Sequence, residues 1–177
     1  MVDDPAGLEV LLTQDEIAAR VQALAERLAP LLDARTVAVC LLTGGLWFAA
    51  DLTRALARIG RHVDFDALWL ASYGDGRAST GRCDVRAGPQ RSLQGRRVLL
   101  LDDVFDSGLT LMEARRLIAE AGARSIVAAV FARKPRPDPR AEEPDHVAWE
   151  APARFLVGYG MDASGRFRGL PYVAASD

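Results

Sequence analysis

Along the chain the apolar positions change their period several times, and each change marks an element. Ile17, Val21, Leu24 and Leu28 recur every three or four residues, which predicts a helix over residues 14–32. Thr13 and Glu16 stand at capping-box spacing at its start, and Pro30 weakens its end. The periodicity then disappears. TVAVCLL, residues 36–42, is a continuous apolar and β-branched run, the pattern of a strand buried on both faces in a parallel sheet. Thr43-Gly44-Gly45 breaks it, and a helix is predicted over 47–59. HVDFDALWLAS, residues 62–72, alternates as a strand does. Residues 73–81, YGDGRASTG, carry turn formers and read as an exposed, mobile loop, with 82–86 returning as an antiparallel strand. Two more buried strands are predicted at 97–101 and 125–131, separated by a helix over 109–121 that Gly122 ends. RKPRPDPRAEEP, residues 133–144, is a charged, proline-rich surface loop, and residues 145–173 hold short strand-like pieces with turns. Strands alternating with helices predict an α/β fold with a mainly parallel sheet.

Composition narrows this picture. A chain of 177 residues suits one domain with a real core. With 22 basic and 24 acidic residues its net charge is -2, so it lacks the footprint of a nucleic-acid binder. Arg82, Arg86, Arg91, Arg96 and Arg97 are the only grouping from which a basic face could be built. A small anion can still be held by a local nest of backbone N–H groups. Cys40 and Cys83 fit no zinc spacing and read as free thiols. The first ten residues, MVDDPAGLEV, have neither the basic nor the apolar region of a leader, and no apolar run approaches the ~18 residues of a membrane span. The expectation is a cytoplasmic protein with no membrane partner. Trp47, Trp69 and Trp149 read as core or subunit-interface residues, and His62 and His146 receive no role.

One string does not read as scaffold. In residues 99–110, LLLDDVFDSGLT, a buried strand runs into Asp102 and Asp103, Asp106 follows, and Ser107-Gly108-Leu109-Thr110 opens a helix. Ligands of open α/β sheets collect at the carboxyl ends of strands. Gly108 permits close backbone approach to an anion, the helix N-terminus supplies free N–H groups, and the hydroxyls of Ser107 and Thr110 add donors. Three carboxylates beside an anion repel it unless a divalent cation or ligand hydroxyls intervene. A sugar phosphate with magnesium meets both demands. Taken singly, Asp106 or Ser107 reads better as a helix cap. It is the clustering after a buried strand that points to a site.

This segment resembles the phosphoribosyl pyrophosphate loop of type I phosphoribosyltransferases, and four further segments resemble hypoxanthine-guanine phosphoribosyltransferases in the same order. LLTGGLWFAADL, residues 41–52, resembles the pyrophosphate loop, with backbone N–H groups at Thr43 and Gly44 and a cis peptide expected at Thr43–Gly44. Ser72-Tyr73 and the residues after them resemble a mobile catalytic loop that excludes water. Lys134 stands like a lysine that donates to the purine 6-oxo group. Residues 155–162, FLVGYGMD, with Arg168, Pro171 and Tyr172, resemble the C-terminal signature.

The resemblance implies a single domain of the type I phosphoribosyltransferase kind. A twisted core of about residues 36–131 would be flanked by helices, with a small hood from about 1–35 and 145–177. It implies that Asp106 is the general base at purine N7. Asp102, Asp103, Ser107, Gly108, Leu109, Thr110, Thr43, Gly44 and Arg168 would bind phosphoribosyl pyrophosphate. Phe155 would stack on the purine, with Leu156, Val104 and Lys134 around the base. Asp162, Asp102 and Asp103 would hold Mg2+. The implied activity is transfer of the 5-phosphoribosyl group to hypoxanthine or guanine in purine salvage, by a homodimer or homotetramer.

The resemblance has departures. Thr43 and Leu109 stand where a basic residue is common, and Asp102 where Glu is frequent, which implies a weaker phosphate grip. Three other readings share the fold: a xanthine- or uracil-preferring transferase, an RNA-binding regulator, and a purine sensor without catalysis. Lys134 and the 155–162 signature favour the 6-oxopurine enzyme, and the acidic balance disfavours RNA.

Overall fold

The computed structural model describes residues 7–72, 83–135 and 142–176. Thirteen elements follow along these segments. β1 (Glu9–Leu12) and α1 (Gln14–Leu28) lead into β2 (Val37–Leu42), α2 (Leu46–Arg58), β3 (Asp64–Ser72) and β4 (Cys83–Ala87). β5 (Arg97–Phe105), α3 (Leu109–Glu120), β6 (Ser125–Arg133) and β7 (His146–Glu150) continue the chain, and β8 (Phe155–Val157) and β9 (Val173–Ser176) end it; the thirteenth is a short 3-10 turn, Ala29–Leu31. That turn carries Pro30 in its first residues, which is where the sequence placed the weakening of the first helix. The Thr13–Glu16 capping box is formed in both directions.

The large sheet has the order β4-β3-β2-β5-β6-β7. All its pairs are parallel except β3–β4. Its central strands β2, β5 and β6 are buried on both sides, and alternate residues feed two cores. Ala38, Cys40, Leu99, Leu101 and Phe131 face α1 and α2, while Val37, Val39, Val98, Leu100 and Val130 face α3. A three-layer α/β/α arrangement results, as the uninterrupted apolar runs require.

A small antiparallel sheet, β1-β9-β8, packs against the α1/α2 side through Leu12, Leu156, Val173 and Ala175. Two of its features depart from the expected boundaries. β1 carries only four residues, half of them exposed at its edge, and so shows no alternation in sequence. β7 lies within the stretch assigned to the hood, yet it joins the large sheet parallel to β6. None of the helices in the described residues is long and apolar enough to cross a membrane.

The chain runs from β2 to β3 on one side of β2, and later returns to place β5 on the other. The boundary between β2 and β5 is therefore the switch point of the sheet, where a crevice opens at the strand ends. β5 is longer than its sequence suggested. It pairs with β2 only over Val98–Leu101 but stays paired with β6 as far as Phe105. Its last residues thus overhang β2, and Thr43–Gly45 turns into the gap.

Candidate active site

Two cavities meet at this overhang. The larger, about 470 Å³, is bounded by Thr43 and Gly44 after β2, by Asp102, Asp103 and Asp106 to Thr110 around the end of β5, and by Arg168. The smaller, about 190 Å³, is bounded by Lys134 after β6 and by Phe155, Leu156, Met161 and Asp162. Asp103, Val104 and Asp106 line both. The structure so brings together nearly all the residues singled out in the sequence. Leu109 is the exception. It begins α3 with its side chain 38% exposed and lines neither cavity. Ser72 ends β3, its side chain is outside the described residues, and so is Tyr73.

Backbone geometry explains why glycine occupies two of these positions. Gly108 caps α3 in the left-handed region, at φ 79, so the chain can reverse and aim the first N–H groups of the helix into the large cavity. No acidic side chain lies in the first turn of α3 to compete for them, and Ser107 Oγ accepts only from Leu109 N, at 3.4 Å. At Gly44 the reason is close approach: a Cβ there would sit 1.9 Å from Asp103 Oδ2. The cis peptide lies at Leu42–Thr43, one residue earlier than the sequence placed it. The residue pattern of a Gly-containing turn does not distinguish adjacent bonds.

Asp102 and Asp103 are adjacent and drawn partly into the crevice floor. Each accepts a hydrogen bond from the next N–H: Asp103 N to Asp102 Oδ1 at 3.0 Å, and Val104 N to Asp103 Oδ1 at 2.8 Å. Burial raises the Asp102 carboxyl well above the ordinary aspartate range, and the neighbouring Asp103 charge raises it further. Asp103 is also raised by burial, opposed by its hydrogen bonds and by the Arg168 charge. Such a pair of hard oxygen donors, short of positive charge, is suited to a divalent cation. Among the described residues no three His, Cys, Asp or Glu side chains gather into a self-sufficient metal cage. The donor set therefore fits a cation that takes one or two carboxylates and completes its shell with ligand oxygens, the habit of magnesium.

Lys134 and Arg168 are already paired with carboxylates. Lys134 Nζ donates to Asp106 Oδ2 at 3.1 Å, with the lysine largely buried and the aspartate exposed. Lys134 is placed by the β5–β6 ladder, whose last rung is continued by Lys134 N donating to Phe105 O. Arg168 meets Asp162 at 2.5 Å and donates to Gly160 O at 2.6 Å. The second Asp162 oxygen accepts from Gly165 N at 2.5 Å. Phe155 is 51% exposed at the rim of the small cavity, an apolar ring face with no partner in the core clusters.

Several features escaped the sequence reading. Trp69 does not sit in the core. It lines the large cavity, 39% exposed, with Arg86 Cζ 5.4 Å from its ring centroid. Trp149 does pack in the core, against Phe131. Tyr159, in the backbone φ 49 conformation, donates its hydroxyl to Asp51 Oδ2 at 3.0 Å and so ties the C-terminal segment to α2. No sequence pattern links residues 108 positions apart. Three of the arginines that offered a basic face are spent separately: the guanidinium of Arg96 on Asp64 and Arg35 O, that of Arg91 on Phe65 O and Asp64, and that of Arg97 on Ser125. Cys40 is a buried free thiol, its ionisation pushed up to about 12 by burial and by Asp102 and Asp103.

A family model described as the phosphoribosyl transferase domain matches residues 9–164. Over 166 residues the chain is 34% identical to a hypoxanthine-guanine phosphoribosyltransferase of Bacillus subtilis, covering 93% of this chain and 91% of that one. It is equally similar, 34% over 166 residues, to the bifunctional protein TilS/HprT of Listeria innocua; there the match takes in 93% of this chain but spans only 25% of the longer protein. The crystal structure of a hypoxanthine phosphoribosyltransferase from Staphylococcus aureus superposes with a TM-score of 0.90 at 26% identity, covering 100% of this chain and 97% of that one. With fold, switch-point crevice and sequence in agreement, the chain belongs to the phosphoribosyltransferase family, among its hypoxanthine-guanine members.

Proposed function

We propose that this chain transfers the 5-phosphoribosyl group from phosphoribosyl pyrophosphate to a 6-oxopurine, hypoxanthine or guanine, releasing pyrophosphate. The observation that carries the reading is the shared wall. Asp103, Val104 and Asp106 line both a polar cavity sized for a sugar diphosphate and a smaller one with an exposed aromatic ring. Two substrates placed in these cavities would meet at the end of β5.

Each residue then has a task its surroundings support. The α3 N-terminus, with Ser107, Gly108 and Thr110, holds the 5-phosphate through N–H and hydroxyl donors. Asp102 and Asp103 accept from the ribose hydroxyls. Thr43 and Gly44 offer backbone N–H groups to the diphosphate, and Arg168 adds charge. Phe155 stacks on the base, and Leu156 frames its edge. Lys134 donates to the 6-oxo oxygen, while Asp106 accepts the N7 proton as general base. In the ligand-free protein these last two neutralise one another, so a purine inserts between a donor and an acceptor already facing each other. The anomeric carbon passes through an oxocarbenium-like state, which the carboxylates stabilise. Asp102, Asp103 and Asp162 are the residues that would hold Mg2+, which when bound neutralises the departing pyrophosphate.

The test is nucleotide formation with phosphoribosyl pyrophosphate and magnesium, offered hypoxanthine, guanine and xanthine in turn. Formation of inosine or guanosine monophosphate is expected. Failure to form any nucleotide overturns the proposal, and xanthine alone as acceptor overturns its base assignment.

A further inference from the structure

The large cavity has a deficit of positive charge. Asp102, Asp103 and Asp106 line it, while Thr43 beside it is neutral. Arg168 is committed to Asp162 and Gly160 O, and Lys134 belongs to the other cavity and to Asp106. One further cation lines the large cavity, Arg86, and it makes no ion pair or hydrogen bond among the described residues.

Its placement is built by the sheet edge. β3 and β4 pair Trp69 with Ala87 and Leu70 with Val85, so the register skips Arg86. Two residues of β4 oppose one of β3 in a β-bulge, a device that re-aims a side chain at a sheet edge. The re-aimed guanidinium lies over the Trp69 ring, 5.4 Å from its centroid, which fixes its position without using its N–H donors. Trp69 is the register partner of Leu42, the residue before the Thr43–Gly45 turn. Leu42 packs with the core on the α1/α2 side, opposite α3. Arg86 is therefore carried on the Thr43–Gly44 wall of the cavity and not on the wall formed by the α3 N-terminus.

We infer that Arg86, seated on Trp69, binds the diphosphate of the sugar substrate and holds it as pyrophosphate departs. The inference rests on the phosphoribosyl-transfer reading and adds to it a specific anion ligand. The guanidinium keeps its N–H donors for phosphate oxygens, and charge-assisted contacts of this kind are the strong ones. A bare stacking role would leave substrate kinetics untouched.

The experiment compares unmodified protein with Arg86→Ala, Arg86→Lys and Trp69→Leu in both directions of the reaction. Arg86→Ala is expected to raise KM for phosphoribosyl pyrophosphate and for pyrophosphate about tenfold, with KM for purine within about twofold. Arg86→Lys keeps the charge and loses the planar fork, so intermediate values are expected, as they are for Trp69→Leu. The salt dependence of KM for pyrophosphate should flatten only in Arg86→Ala. Turnover by unmodified protein with unchanged KM for both diphosphate substrates in folded Arg86→Ala overturns the inference. Equal rises in KM for purine and pyrophosphate also overturn it. Absence of turnover in unmodified protein is a failure of the underlying reading and is seen before any variant is made.

Discussion

Gly160 touches no substrate in the proposed reaction, yet its replacement should be among the most damaging single changes. It has φ 101, and a Cβ built on it lies 2.1 Å from Gly44 O and 3.4 Å from the Trp47 ring. Gly44 in turn stands where any side chain would strike Asp103. Two backbone segments from distant parts of the chain are thus in close contact, with the Asp103 carboxylate packed against Gly44. Real Cβ contacts stay beyond 3.0 Å, so Gly160→Ala requires the two segments to separate by about 0.9 Å. Neither partner is the far end of a flexible side chain, so the separation must be taken up by the backbone. The unfavourable φ costs about 1–3 kcal/mol of stability besides. A displacement near 1 Å of a positioning element lowers catalysis about 10²-fold. The assay is steady-state kinetics well below the unfolding transition. Gly160→Ala should lose about 10²-fold in kcat/KM for phosphoribosyl pyrophosphate. Purine binding, measured by fluorescence titration, should change less than about threefold. A folded Gly160→Ala protein with wild-type kcat/KM would refute the stacking argument.

Three further outcomes follow from the site. Asp106→Asn should lower kcat at least about tenfold while leaving affinity for phosphoribosyl pyrophosphate within a few-fold, and unchanged turnover would remove Asp106 as the base. Phe155→Ala should raise KM for purine about 5- to 150-fold, the equivalent of ~1–3 kcal/mol of stacking, with little change in Tm because the ring is half exposed; a large Tm loss would place it in the fold instead. Asp102 is raised above its unfolded value, so the native state binds the extra proton and stability falls as pH climbs through the raised range. In divalent-free buffer the Tm advantage of Asp102→Asn over the native protein should therefore widen as pH rises above the ordinary aspartate range of about 4, and a constant gap would contradict the burial of that carboxylate.

The parts of this molecule that announce themselves in sequence are those governed by local periodicity and local turn chemistry. The buried runs at residues 37–42, 98–101 and 126–131, and the Ser107-Gly108 helix start, follow from side-chain burial and φ requirements that neighbouring residues already express. Strand order is different. That β5 lies beside β2 and overhangs it depends on pairing across some sixty residues, and that pairing turns an acidic strand end into a crevice. The resemblance in residues 155–162 pointed to residues that line the smaller cavity, but nothing local foretold that Lys134 would rest on Asp106. Arg86 and Trp69 are illegible for a related reason. A bulge is a mismatch between two strands, and neither strand alone records it.

The two cavities share a wall but not their other residues. Lys134, Phe155, Leu156, Met161 and Asp162 touch only the smaller one, and all come from the chain after β5. Thr43, Gly44, Trp69 and Arg86 touch only the larger, and all come before it. Arg168 crosses this division: it lines the larger cavity from the same C-terminal segment that builds the smaller one, so the proposed donor and acceptor sites are tied together by that segment as well as by the shared wall. On the proposed assignment, chimaeras that exchange the region from Lys134 onward between relatives would carry base preference with them together with the Arg168 contribution to the diphosphate.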